Sequence, residues 1–343
     1  MKLLALAVVV LVAVWCVVFN ASSSSCAVLA QEQIDIKRYN IEPGSLSVSG
    51  ISAGGFMAVQ FQVAFSKSVK GSGIVAGGPY DCAQGQLLNA LMACMKSPGS
   101  ISLSSISGTV SSYEKQGLID PSSNVKNHKI YLFSGTQDSV VAPGVMSKLL
   151  DQYTNYFGVS KSNIVTDFNT PAQHSMITND YGNSCGYLGS PYINNCGVDG
   201  AGNFFKQVYP DFKTGGGAVS GNLFTYKQSG RYSASSFDSN GYIYIPTACQ
   251  QGAQCKVSIA FHGCNQGASV IGTSYVANAG YNKHAELNNI IVVYPQVAVS
   301  YFNPMNAQGC FDWFGYSSSQ YATKQGPQMA AIANLITDLG YSL

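Results

Sequence analysis

Leu46-Ser-Val-Ser-Gly50-Ile51-Ser52-Ala53-Gly54-Gly55-Phe56-Met57 is the stretch on which the reading of this chain turns. Leu46 to Gly50 has the make-up of a short strand. From Gly54 to Ser66 the apolar residues Phe56, Met57, Val59, Phe61, Val63 and Ala64 suit a helix. Between the two, Gly50-Ile51-Ser52-Ala53-Gly54 matches G-x-S-x-G. A strand, a tight turn of small residues and a helix form the setting that lifts a serine hydroxyl above the end of a sheet. The motif alone is weak, because Gly182-Asn183-Ser184-Cys185-Gly186 matches it as well. No strand precedes Ser184, which sits in a loop rich in Cys and Asn and reads as structural. Ser52 is therefore the candidate nucleophile.

Working outward, strand-like runs cover Ser72 to Gly77, Lys129 to Phe133, Asn163 to Phe168, Asn222 to Tyr226, Gly241 to Ile245, Lys256 to Phe261 and Ile290 to Tyr294. Helical patterns cover Val145 to Phe157, Ala277 to Asn288 and Pro327 to Leu339, the last with Pro in its first turn. Tyr181 to Gly217 reads as a loop-rich, Gly-rich stretch. Strands alternating with helices predict an α/β fold with a mainly parallel sheet flanked by helices. No linker, repeat or heptad interrupts the pattern, so one domain is expected from about Gln31 to Leu343.

The chain holds only four histidines, which makes the search for a general base short. His128 precedes a strand and His284 sits on a helix, and both read as packing residues. His174, in Thr170-Pro-Ala-Gln-His-Ser-Met176, follows a strand and lies downstream of Asp138, itself just beyond strand 129–133 in Gly135-Thr-Gln-Asp-Ser-Val-Val141. The order Ser52, Asp138, His174 is the Ser, Asp, His order of α/β-hydrolases. Each residue sits just past the carboxyl end of a strand, where open α/β sheets build their sites.

Acyl transfer through these groups also needs fixed N–H donors for the developing oxyanion. One is expected from Ala53, the residue after the nucleophile. The other is expected from an HG-type loop, which Phe261-His262-Gly263-Cys264 supplies, with the Cys264 N–H as donor. That loop ordinarily precedes the elbow, yet here it follows it by some two hundred residues. A chain that starts at the elbow strand, runs through the Asp and His loops, continues through strands near 222, 241 and 256, and stops on helix 327–339 reads as a circularly permuted α/β-hydrolase. Permutation is tolerated because chain termini lie at the surface and close together.

Composition bounds the partners and the compartment. Of 343 residues 46% are hydrophobic and only 10% charged, with net charge +2, 36 Gly and 21 Tyr. Without a basic run, nucleic acid is not an expected partner. Lys2 followed by an apolar stretch of about 17 residues, then Ser and Ala up to Val28-Leu29-Ala30, predicts a signal peptide over residues 1–30. The expected mature protein is secreted and extracellular, with no membrane attachment, and is expected to be a monomer. Ten Cys are present, and eight remain beyond residue 30: Cys82, Cys94, Cys185, Cys196, Cys249, Cys255, Cys264 and Cys310. Without CxxC or clustered Cys and His, disulfides rather than a metal are expected. Sequential pairing is the simplest of the connectivities that eight Cys allow, and spacing alone does not choose among them.

Taken together, Ser-Gly-Ile-Ser52-Ala-Gly-Gly-Phe-Met, Gly-Thr-Gln-Asp138, Gln-His174-Ser-Met and Tyr-Ile-Pro before Cys249, with Phe-His-Gly-Cys264-Asn-Gln-Gly, resemble the single-domain extracellular poly(3-hydroxybutyrate) depolymerases of fungal type. The resemblance spans nearly all of the expected mature chain. It implies a circularly permuted α/β-hydrolase, a serine esterase acting on short-chain polyhydroxyalkanoates without metal or organic cofactor. It also implies Ser52, Asp138 and His174 as the triad and Ala53 with Cys264 as oxyanion donors. Gly309-Cys-Phe-Asp-Trp313-Phe-Gly matches the family's crevice segment and implies Trp313 as a substrate-binding residue, with Phe311 where another aromatic, often Trp, is expected. Two alternatives stand beside it. One is another secreted carboxylesterase, on feruloyl, acetyl-polysaccharide, cutin or polylactide esters; the other is a non-catalytic secreted binding protein on the same fold.

Overall fold

Strand β1 (Ser47–Ile51) is central, buried along its whole length, and built of small residues. Its serines are not left bare: Ser47 Oγ is hydrogen-bonded to Tyr209 Oη at 2.8 Å and donates to Ser258 Oγ at 2.9 Å, which removes the cost of burying a hydroxyl. On one side β1 pairs in parallel with β2 (Gly71–Val75), which continues to β3 (Lys129–Phe133) and β4 (Ile164–Asp167). Three short strands, β5 (Met176–Thr178), β6 (Asn183–Ser184) and β7 (Ile193–Asn195), form a separate small sheet. The chain then returns to the main sheet with β8 (Leu223–Lys227), β9 (Asn240–Tyr244), β10 (Lys256–Phe261) and β11 (Ile290–Tyr294). The eight-stranded order is β4-β3-β2-β1-β10-β11-β9-β8. All pairs from β4 to β11 are parallel, and β9 runs against both of its neighbours.

The computed structural model describes residues 31–343; the signal peptide expected over 1–30 lies outside them. Residues Glu32–Leu343 form one compact unit. The strand order explains the inverted motif order. β10, which leads into the HG loop, lies directly beside β1, in register Ser47 to Ser258 through Gly50 to Phe261. Just past the last helix, the Leu339 carbonyl accepts the Tyr39 N–H at 2.8 Å. The end of the final helix thus lies beside the segment that feeds β1.

Helix α1 (Ala53–Ala64) is buried on every side, as expected for a helix that is apolar all round. Its two glutamines are paired inside: Gln60 Nε2 donates to the Asp312 carbonyl at 3.0 Å, and Gln62 accepts from Tyr153 Oη at 2.5 Å. Outer helices are α2 (Leu87–Met92), α3 (Leu103–Lys115), α4 (Pro143–Asp151), α5 (Gly200–Val208), α6 (Tyr281–Asn288) and α7 (Pro327–Asp338). Three expectations need correction. The helix expected over 145–157 ends at Asp151 and passes into a π turn, Gln152–Tyr156. The helix expected from Ala277 begins only at Tyr281, because Gly280 takes φ 91° and breaks it from a short turn at Ser274–Asn278. The loop expected over 181–217 contains β6, β7 and α5. Asp199 caps α5 by accepting the Gly202 N–H at 2.9 Å, while Phe204, Phe205 and Val208 are buried against the sheet. Gly73 on β2 leaves room for the Phe204 ring that a side chain there would strike.

The eight cysteines pair sequentially: Cys82–Cys94, Cys185–Cys196, Cys249–Cys255 and Cys264–Cys310.

Candidate active site

Ser52 is the turn between β1 and α1, with φ 56° and ψ −125°. A non-glycine residue held there is strained, and only a rigid surround keeps it so. The surround is visible. A side chain on Gly54 would overlap the carbonyl oxygens of Phe261 and His262, and Gly50 lies 2.8 Å, measured to an added Cβ, from the Phe261 oxygen. These two glycines let α1 press onto the end of β10, which is why the motif demands them.

Asp138 and His174 come together. Asp138 follows β3 and His174 follows β4, and both are 6% exposed. His174 Nδ1 lies 2.8 Å from Asp138 Oδ2. Asp138 Oδ1 accepts the Val140 and Val141 N–H groups at 2.9 Å each. Three donors therefore meet a carboxylate that burial would otherwise penalise. With Nδ1–H committed to Asp138, Nε2 of His174 carries the free lone pair. A second tie locks the two loops: Gln173 Oε1 accepts the backbone N–H and the hydroxyl of Ser139, both at 3.1 Å.

Gly263 of the HG loop faces Ser52, since a Cβ placed on it would stand 3.3 Å from Ser52 Cβ. Neither the Ala53 nor the Cys264 N–H donates to a protein acceptor among the described residues. The Ala53 group is one of the free N–H groups of a helix first turn. Cys264 is bonded to Cys310, which ties the HG loop to the segment bearing Trp313.

Ser52 and His174 line one cleft of about 780 Å³. Its walls include Leu87, Leu91, Met305, Tyr192, Trp313 and Phe314, and no Lys, Arg, Asp or Glu lines it among the described residues. Trp313 stacks on Phe56 with ring centroids 4.3 Å apart. Asp312 holds the Trp313 loop in shape, accepting the N–H groups of Gly315, Tyr316 and Ser317 at 2.7 to 3.0 Å.

The other candidates separate cleanly. Ser184 is exposed on β6. His128 is buried between Gln62 and the Ser66 carbonyl, and burial pushes its imidazole down to about 4. His284 pairs with Asp199 at 2.7 Å, away from the cleft lining. Sequence reading missed Gln173, Gln266 and Asp312, whose work is to hold backbone, and it missed α2. The run Leu-Leu-Asn-Ala-Leu-Met inside the short Cys82–Cys94 loop was the available signal for α2.

No family model matches the chain. Its sequence is 41% identical to a poly(3-hydroxybutyrate) depolymerase of Delftia acidovorans over 308 residues, covering 88% of this chain and 61% of that protein. It is 38% identical to a polyhydroxybutyrate depolymerase of Talaromyces funiculosus over 315 residues, covering 88% of this chain and 91% of that one. The chain belongs to the polyhydroxybutyrate depolymerase family. Two solved structures agree. A PHB depolymerase in a serine-to-alanine form, complexed with an R3HB trimer, matches with TM-score 0.84 at 36% identity, over 90% of this chain and all of that one. The crystal structure of PHB depolymerase from Penicillium funiculosum matches over the same shares with TM-score 0.83 at 36% identity. The depolymerase fold is thus the permuted α/β-hydrolase described above. The chain spans about three-fifths of the length of the Delftia depolymerase.

Proposed function

We propose that this family member is a secreted serine esterase that cleaves the ester bonds of poly(3-hydroxybutyrate) or similar short-chain polyhydroxyalkanoates. The observation that carries the reading is the His174–Asp138 pair at 2.8 Å, opening with the strained Ser52 onto one uncharged cleft. An uncharged, largely apolar cleft suits a neutral polyester chain. Exposed apolar side chains on the elements that line it, Leu88 at 71% and Phe302 at 86%, suit an insoluble one. Four disulfides support an oxidising, extracellular setting. The protein acts there as a monomer.

In this mechanism Ser52 Oγ attacks the ester carbonyl carbon while His174 Nε2 takes its proton. Asp138 holds the tautomer and stabilises the imidazolium. The oxyanion is met by the Ala53 and Cys264 N–H groups, a donor of this kind contributing about 3 kcal/mol. Collapse breaks the C–O bond, and the alcohol end leaves with the proton from His174. Water then attacks the acyl-serine with His174 as base and regenerates Ser52. Trp313 forms part of the wall against which the chain lies.

The test is turnover of poly(3-hydroxybutyrate) granules and of a soluble nitrophenyl butyrate by the wild type and by Ser52→Ala. Clearing of granules by the wild type and loss of both activities in the variant is the expected result. Retained ester hydrolysis by Ser52→Ala sinks the assignment of the nucleophile. Release of ferulate or acetate from their esters, with granules untouched, sinks the substrate.

A further inference from the structure

His262 is fully enclosed at the end of β10, yet it is not an idle buried histidine. Its Nε2 accepts the Val297 N–H at 3.1 Å. An imidazole nitrogen that accepts carries no proton, so the neutral ring must bear its proton on Nδ1. Nδ1 lies 2.7 Å from the Gly263 carbonyl, to which it therefore donates. That carbonyl belongs to the same peptide plane as the Cys264 N–H. The bond is trans, so the two point in opposite directions. Pinning the oxygen on the His262 side fixes the N–H on the other.

The peptide before it is fixed as well. Gln266 Oε1 accepts the Gly263 N–H at 2.8 Å, while its Nε2 donates to the carbonyls of Pro191 and Tyr192 at 3.1 and 2.9 Å. Both peptide planes flanking Gly263 are thus held by side chains, and Gly263 has no side chain of its own to resist rotation.

We propose that His262, with its proton on Nδ1, and Gln266 are positioning residues that aim the Cys264 N–H at the oxyanion formed on Ser52 attack. The inference rests on the assignment of that N–H as an oxyanion donor. Burial pushes the His262 imidazole down to about 4, with the Gly263 carbonyl opposing, so the ring is neutral near pH 7. The ring also packs on Phe311, with ring centroids 4.8 Å apart.

Two substitutions divide the ring's jobs. In His262→Asn the amide nitrogen falls near the place of Nδ1 and keeps the bond to Gly263. In His262→Gln the terminal oxygen falls near the place of Nε2, keeping Val297 and releasing Gly263. Expected is a kcat on nitrophenyl butyrate within about fivefold of wild type for His262→Asn. For His262→Gln a loss of about tenfold to a hundredfold is expected, a misaimed donor costing less than the full effect of a deleted one. KM stays within about twofold in both, and the affinity of a trifluoromethyl ketone, which forms the tetrahedral adduct, falls in step with kcat/KM. A purely structural histidine would give equal kcat values with losses that follow Tm. That result, or a loss confined to KM, overturns the proposal. If neither variant folds, Gln266→Met carries the same test: about tenfold off kcat with KM kept is expected, and wild-type kcat refutes it. Ser52→Ala, run in parallel, separates the two layers. If that variant stays active the underlying site is wrong; if it is dead while the His262 variants run at full rate, only the positioning role is wrong.

Discussion

On the proposed mechanism, one atom of Asp138 decides the chemistry. Asp138→Asn keeps the shape and still offers an oxygen to Val140 and Val141, but it presents an N–H where His174 Nδ1–H requires an acceptor. The imidazole then adopts the wrong tautomer, and kcat on a soluble ester is expected to fall by about 10⁴ with Tm little changed. Steady-state kinetics beside a thermal melt checks this. Buried titratable residues set the response to pH. His128 and His262 are both pushed down to about 4 by burial. As pH falls from about 6.5 to 4 the unfolded chain takes up protons that the folded one refuses, so each costs stability on the order of 3 kcal/mol across that window. Asp81 acts the other way. Burial, opposed by the Tyr321 hydroxyl, raises its carboxyl to about 6. Its penalty is absent below about 4 and grows as pH rises to 6. The two histidines, together with Asp199 and Glu286, whose carboxyls are held low, outweigh Asp81 and Asp312, both raised by burial, so Tm is expected to rise between pH 4 and 7. Asp81→Asn should steepen that rise by lifting the neutral end, and Asn also tolerates the φ of 52° found there. A flat or falling melting curve from pH 4 to 7 contradicts this.

Among the elements, α2 stands apart because it turns leucines outward. Leu87 and Leu91 line the cleft, and Leu88 faces solvent, as does Phe302 in the segment that carries the cleft-lining Met305. Leu88→Asp with Phe302→Asp is expected to cut granule binding and clearing at least about tenfold while leaving nitrophenyl butyrate turnover within about twofold. A centrifugation assay on granules reads the first and a chromogenic assay the second; equal losses in both would refute a separate adsorbing role. The elements also show what a sequence can and cannot reveal. Ile130 to Phe133 and Ile290 to Tyr294 are continuous apolar runs, the signature of strands covered on both faces, and the strands Lys129–Phe133 and Ile290–Tyr294 were legible to the residue. α5 was not, because Gly200 and Gly202 lower helix propensity, although Gly202 is needed beside Asp199. Ser52, Asp138, His174 and the HG loop were legible because each sits in a short contiguous motif after a strand. Gln266 was not. Two of its three partners lie about 75 residues away along the chain, and a lone glutamine has no pattern that announces them.

Over the whole molecule, permutation makes a claim about connectivity that can be cut and rejoined. The Gly-rich stretch before β8 is exposed from Thr214 to Ser220, and a Cβ added to Gly217 would meet nothing within 4 Å. Joining Leu343 to Glu32 through a flexible linker and opening the chain after Gly217 would restore the order HG loop, elbow, Asp138, His174. The rearranged protein is expected to fold and to keep kcat within about tenfold, with Tm a few degrees lower. Inclusion bodies that never refold to active material would show that the present order is itself required.

The partner that β1 needs on its second side, β10, is made 211 residues after it, counted from Ser47 to Ser258. Until β10 has been made, the middle of the sheet stands open along that edge, and the donor proposed at Cys264 has not yet been translated. On the proposed mechanism a complete oxyanion site therefore arrives with the late part of synthesis rather than with Ser52. A product that stops before β10 carries Ser52, Asp138 and His174 but lacks both the second strand beside β1 and the Cys264 N–H proposed to meet the oxyanion.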